Sequence, residues 1–267
     1  MSKSLTIMSL NVGRLLQERT RTYLQSLGTT EPLPDILCLQ DFPFRDLSLL
    51  ERLPHVAFGP MTNHLINGER AVVGIAIASR YFMPDIRHHI TWGDGVLKNL
   101  RGINEKNQRH LGAESDTLVG ATENRLVICA TVIKGGVEFN IATTHGMWVR
   151  GGVINDAQRC CVGKLRDVLI KEAYMRDGLV LMGDMNFGRG GETYQLFTEE
   201  FRDCIPQEID NTLDPEHPAA CKGLKIVTDY VMTGHGGYPE NGYSVTDVRL
   251  RPGVSDHCAL SATVSRK

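Results

Sequence analysis

The sequence predicts a single α/β domain on three observations. Eight short apolar runs have strand character, two longer stretches carry helical periodicity, and no linker, repeat or low-complexity tract divides the 267 residues. The expected domain is therefore the whole chain, 1–267.

The runs cover residues 5–12, 36–39, 72–78, 126–132, 139–143, 179–182, 226–232 and 258–264, and several are apolar throughout, as strands buried on both faces are. The last alternates, with Cys258, Leu260, Ala262 and Val264 on one face and Ala259, Ser261, Thr263 and Ser265 on the other. The first helix is expected over residues 14–27, where Leu15, Leu16, Arg19, Tyr23, Leu24 and Leu27 share a face and Gly28 stops the turn. A second is expected over 156–176, with Val162, Leu165, Val168 and Leu169 at helical spacing, Asn155 as N-cap and Gly178 behind it. A short helix follows Gly191. Residues 83–124 and 203–224 are polar and weakly patterned, and read as loop-rich.

Composition narrows the function. No apolar run is long enough to cross a bilayer and no basic, apolar, cleavable start precedes the first strand, so a cytoplasmic protein without membrane insertion is expected. The seven cysteines are odd in number and scattered without a CxxC pair, which suits a reducing compartment. Adjacent Cys160 and Cys161 read as helix residues. Lys plus Arg total 29 against 31 Asp plus Glu. That balance lacks the basic surplus of proteins that track nucleic acid through many phosphates, although a local basic groove stays open.

The informative feature is where the apolar runs stop. They deliver Asn11, Gln40-Asp41, His145, Gly183-Asp184-Met185-Asn186, Asp229-Tyr230 and Asp256-His257. A single Asp or Asn at a strand end is usually a turn or cap residue. Six such ends carrying carboxylate, amide or imidazole groups instead describe a rigid, open site. Its oxygen-rich donors suit a hard cation such as Mg²⁺, and the sequence has neither HExxH nor Cys/His spacing of the zinc type.

The order SLN at 9–11, LQD at 39–41, TTHG at 143–146, GDMN at 183–186, TDYV at 228–231 and SDH at 255–257 resembles the endonuclease/exonuclease/phosphatase superfamily. That superfamily includes apurinic endonucleases, deoxyribonucleases, sphingomyelinases and inositol polyphosphate phosphatases. The resemblance implies a four-layer α/β sandwich, two mainly antiparallel sheets packed together and flanked by helices. It implies a Mg²⁺-dependent phosphodiesterase or phosphatase, with Mn²⁺ a possible substitute and in-line attack of water on phosphorus. By the same resemblance Asn11, Asp41 and Asp256 belong to the metal site, and His257 is the catalytic imidazole oriented by Asp229. Asp184 and Asn186 position the water, and His145 contacts phosphate or acts as an acid. Whether Asp184 or His257 takes the proton stays open. The superfamily usually has LQE, so Asp41 shortens this ligand's reach by about 1.5 Å.

Arg125 is a candidate phosphate contact, against the alternative of a surface residue at a strand start. Trp148 and Phe187 are candidates to line the cleft, against core packing. The mixed-charge stretch 87–109, with His88, His89, Lys98, Arg101 and Lys106 diluted by Asp94 and Glu105, reads as a solvated loop. A DNA endonuclease or exonuclease of repair type and an inactive binding or scaffold protein are the competing readings. The substrate's identity and the oligomeric state are left open.

Overall fold

The computed structural model describes residues 3–13, 16–66, 69–103, 123–149, 154–235 and 242–267. The apolar runs assemble into two facing sheets. The first contains β1 (Ser4–Asn11), β2 (Ile36–Pro43), β3 (His55–Ile66), β4 (Glu69–Ser79), β6 (Asn99–Ile103), β12 (Tyr243–Arg251) and β13 (Ala259–Arg266), in the order β12-β13-β1-β2-β4-β3-β6. The second contains β5 (Asp85–Trp92), β7 (Arg125–Lys134), β8 (Val137–His145), β9 (Leu179–Asp184), β10 (Arg202–Asp203) and β11 (Asp229–Gly234), in the order β10-β11-β9-β8-β7-β5. Among the described residues the pairings are antiparallel except β1–β2, β3–β6 and β8–β9.

The continuous apolar runs become strands buried on both sides. All eight positions of β2 are buried. Ile36 and Cys38 join the core between the sheets, while Leu37 and Leu39 join a second core under helix α1 (Glu18–Ser26). Helix α2 (Asp156–Met175) contributes Val162, Leu165, Leu169 and Ala173 to the larger core, against the second sheet. Helix α3 (Glu192–Thr198) places Phe197 in it too. The layers are thus helix, sheet, sheet, helix, a four-layer sandwich whose central strands are buried on both faces.

Local sequence explains the boundaries. Asn155 caps α2 by accepting a hydrogen bond from the Gln158 amide at 2.8 Å. Helix α1 is shorter than expected because Leu16, at φ 45°, is left-handed and a right-handed helix cannot pass through it. Leu15 lies outside the described residues.

Two further expectations are corrected. Part of the segment read as loop, 83–124, forms β5 and β6; Lys106 and Arg109 lie outside the described residues. Strand β5 escaped the hydrophobic pattern because its polar side chains are the packed ones. Arg87 Nε donates to Glu172 Oε2 of α2 at 2.8 Å and His89 Nε2 meets Oε1 at 2.9 Å, while Ile86 and Ile90 are exposed. The run 226–232 is strand only from Asp229 onward. Strands β3 and β12 were not anticipated either; β12 is an edge strand whose charged residues face solvent. No helix among the described residues is long and apolar enough to cross a membrane.

Candidate active site

The strand ends that carry polar groups meet at one end of the sandwich, between the sheets. Register places them. Asp184 on β9 pairs with His145 on β8 in the parallel ladder and with Asp229 on β11 in the antiparallel one. The three therefore form a row across one face of the second sheet. From the facing sheet, Asn11 at the end of β1 donates through Nδ2 to Asp184 Oδ2 at 2.9 Å. The Asn186 amide donates to Asp184 Oδ1 at 2.9 Å. This turn puts Asn186 at φ 53°, a region Asn tolerates better than most residues, and its Nδ2 donates to the Gly146 carbonyl at 3.1 Å.

The imidazoles flank this carboxylate. His145 Nε2 lies 3.5 Å from Asp184 Oδ2, and its Nδ1 lies 3.2 Å from Asp41 Oδ1 without hydrogen-bond alignment. His257 Nδ1 donates to Asp229 Oδ2 at 2.9 Å, leaving Nε2 3.8 Å from Asp184 Oδ2. The same Asp229 oxygen accepts the hydroxyls of Thr212 at 2.8 Å and Thr228 at 3.2 Å. Burial opposes charge on His257, but Asp229 and Asp184 outweigh it and push the imidazole up to about 10. Burial, reinforced by Asp229, raises Asp184 above the ordinary carboxylate range.

The residues assigned to metal by resemblance are distributed unevenly. Asn11 Oδ1 accepts the Gly13 amide at 3.0 Å, and a Cβ on Gly13 would stand 3.5 Å from Asp256 Oδ1, so Asn11 and Asp256 border the same turn. The Ser255 hydroxyl also donates to Asp256 Oδ1 at 3.0 Å. Asp41 sits at φ 53°, where the β2–β4 register shifts between Leu39 and Phe42, and it turns toward His145. Among the described residues, the three-group cluster with ligand atoms within 4.8 Å of one another at this end is Asp184, Asp229 and His257.

The three candidate substrate contacts differ in exposure. Arg125 is buried, with Nη2 donating to Glu123 Oε2 at 2.8 Å and with no hydrogen-bond partner on Nε or Nη1. Trp148 is 44% exposed. Phe187 is 4% exposed, its ring 5.5 Å from that of Tyr230 and 5.8 Å from that of Phe197.

Sequence reading placed Gln40 at a strand end without assigning it a role, and missed Thr212 as a support of the site. Gln40 Nε2 reaches from one sheet to Thr143 Oγ1 of the other at 3.0 Å. Thr212 lies in the segment read as irregular, yet its carbonyl accepts the Cys258 amide at 2.9 Å while its hydroxyl holds Asp229. The one local signal was the polar cluster Asn211-Thr212-Leu213-Asp214 before Pro215.

Two facing mixed sheets with helices outside, and polar strand ends converging between them, define the endonuclease/exonuclease/phosphatase fold, and the chain has that fold. The catalytic domain of human Nocturnin with bound sulfate is similar at a TM-score of 0.66 and 18% identity, over 100% of this chain and 96% of that one. An endonuclease/exonuclease/phosphatase from Beutenbergia cavernae is similar at 0.65 and 15%, over 99% and 72%. A Staphylococcus aureus beta toxin variant with bound magnesium ions is similar at 0.62 and 13%, over 97% and 99%. No family model and no curated protein matches the sequence.

Proposed function

We propose that this chain is a divalent-metal-dependent phosphoester hydrolase that directs water in line onto phosphorus, with Mg²⁺ as its metal and Mn²⁺ as a substitute. The observation that carries the reading is the buried Asp184 carboxylate, held on both oxygens by Asn11 and the Asn186 amide and flanked by His145 and His257. The donor set fits a hard cation. Asp41, Asp184, Asp229 and Asp256 gather with two imidazoles, and burial already disfavours charge on Asp184. Asn11, Asp41 and Asp256 would hold the ion. When bound, it supplies charge neutralisation at the phosphoryl oxygens. Magnesium ions bound to the staphylococcal beta toxin variant of the same fold support that choice.

The chain's own residues divide the remaining work. Asp184, whose proton affinity is raised, accepts the proton of the attacking water, while Asn11 and Asn186 fix the carboxylate's direction. His257 is kept protonated by Asp229 and Asp184, so it donates from Nε2 to the oxygens on which charge develops. His145 adds a second imidazole from the opposite side of Asp184. Of the three candidate substrate contacts, Trp148 offers an exposed ring three residues beyond His145, whereas Arg125 is buried in an ion pair with Glu123 and Phe187 packs in the core behind the GDMN turn. A net charge of −2 favours a small or single phosphoester over a long nucleic acid.

Hydrolysis of bis-p-nitrophenyl phosphate and p-nitrophenyl phosphate with Mg²⁺, Mn²⁺ or EDTA tests the reading, in wild type and His257→Ala. Metal-dependent release that disappears in the variant is expected, and the preferred ester assigns diesterase or monoesterase. Release that survives EDTA, or a folded His257→Ala protein at the wild-type rate, would overturn it.

A further inference from the structure

The loop between β10 and β11 is bonded to the Gly253–Cys258 segment at residues 212–214. The Asp214 amide donates to the Asp256 carbonyl at 3.0 Å and the Cys258 amide to the Thr212 carbonyl at 2.9 Å, so residues 212–214 run against Asp256-His257 as a short extra strand. Asp214 then folds the chain back. Its Oδ2 accepts the Gly253 amide at 2.6 Å and its Oδ1 accepts the Glu216 amide at 3.1 Å. The His217 amide closes the turn on the Asp214 carbonyl at 2.9 Å.

This turn brings a third imidazole to the site. The His217 ring centroid is 5.7 Å from that of His257, edge to face at 82°. His217 Nδ1 accepts the Ala219 amide at 3.1 Å, so Nδ1 carries no proton and the neutral ring bears its hydrogen on Nε2. The residue is neither buried nor fully exposed, so the ring edge remains within reach of a ligand. Burial and the neighbouring His257 both push His217 below the ordinary imidazole range. Asp229 and Asp184 claim the charge on His257, and a second cation beside it would be repelled.

We infer that His217 is a substrate-contacting residue of this site, placed to donate a hydrogen bond from Nε2 to a phosphoryl oxygen of the bound ester. The inference rests on the phosphoester-hydrolase reading and adds a neutral donor beside the charged one. Gln places an amide donor where Nε2 stands, whereas Phe keeps the ring's volume and removes every donor.

Three proteins measured on bis-p-nitrophenyl phosphate with Mg²⁺ test this: wild type, His217→Phe and His217→Gln. The Phe variant should lose about 10²-fold in kcat/KM, the lower end of what one preorganised donor is worth. The Gln variant should recover most of that loss, with thermal unfolding and far-UV dichroism unchanged in both. A folded Phe variant at the wild-type kcat/KM overturns the inference, as does a Gln variant no better than Phe. Should Phe disturb the loop, His217→Ala takes its place. Nitrogen chemical shifts of His217 give a readout independent of turnover: protonation at Nδ1 rather than Nε2 would also sink the idea. Failure of the wild type to hydrolyse any ester would instead remove the hydrolase reading itself.

Discussion

Asp184 receives contacts from both sheets, and its neighbours are fixed by bonds that a single atom can remove. Asp184→Asn keeps the shape but turns one oxygen into a donor facing Asn11 or the Asn186 amide. It should lower kcat by about 10²–10⁴, the usual worth of a positioned general base, in a protein that unfolds at the wild-type temperature. His257→Ala should fall by a comparable factor. Lengthening the proposed metal-site acid by Asp41→Glu should move the Mg²⁺ requirement by about tenfold, in either direction, on the scale seen when support of a metal ligand changes. An unchanged Mg²⁺ titration would remove Asp41 from the metal site. These groups were legible because each closes an apolar run. The parts played by Gln40 and Thr212 were not, because they act by hydrogen bonds across distances of 103 and 17 residues that no local pattern encodes. Nor did sequence reveal that Asp41 would face His145, since the left-handed backbone that turns it is a product of the bulge in β2.

At the level of elements, termini decide how firmly the site's walls are held. Helix α2 begins on a genuine cap, and Asn155→Ala should cost about 1 kcal/mol, read as a shift in the urea midpoint. The end remote from the site is tied differently. Lys134 of β7 donates to Asp35 Oδ2 and to the Ser4 carbonyl, each at 2.8 Å, joining one sheet to the other. Burial alone would raise Asp35, but Lys134 and the Thr6 amide hold it below the usual carboxylate range. A depressed folded value contributes stability that is present above the unfolded pKa, about 3.9, and is lost as pH falls through the folded one. Asp35→Asn should therefore be less stable than wild type at pH 6, and the difference should shrink below pH 4 in urea titrations. Strands with continuous apolar runs were readable in sequence. Strand β5 was not, because its inward residues are Arg87 and His89, satisfied by Glu172 of a helix far along the chain.

For the molecule as a whole, the two-sheet architecture followed from the order of motifs rather than from periodicity, which cannot say which strands share a sheet. The finished sandwich concentrates carboxylates at one end, so a bound cation should stabilise the entire fold. At a hundred times its dissociation constant a ligand adds about 2.7 kcal/mol, worth roughly 5–11 °C in a chain of this size. Calorimetry should show such a rise with Mg²⁺ for wild type and little for Asp256→Asn. The transverse row His145–Asp184–Asp229 carries one more consequence. Because three polar side chains of the candidate site share a rank, their alignment is counted in whole residues: one added residue inside β9 reverses which face Asp184 presents. The other end has no such arithmetic. Gly135 and Gly136, at φ 59° and 80°, close the β7–β8 hairpin, and a side chain on Gly136 would meet nothing within 4 Å. A tag spliced between those glycines should leave turnover intact, while a single alanine spliced between Leu181 and Met182 should abolish it. The chain therefore has a built-in handle for immobilisation or labelling, at the pole of the sandwich farthest from its chemistry.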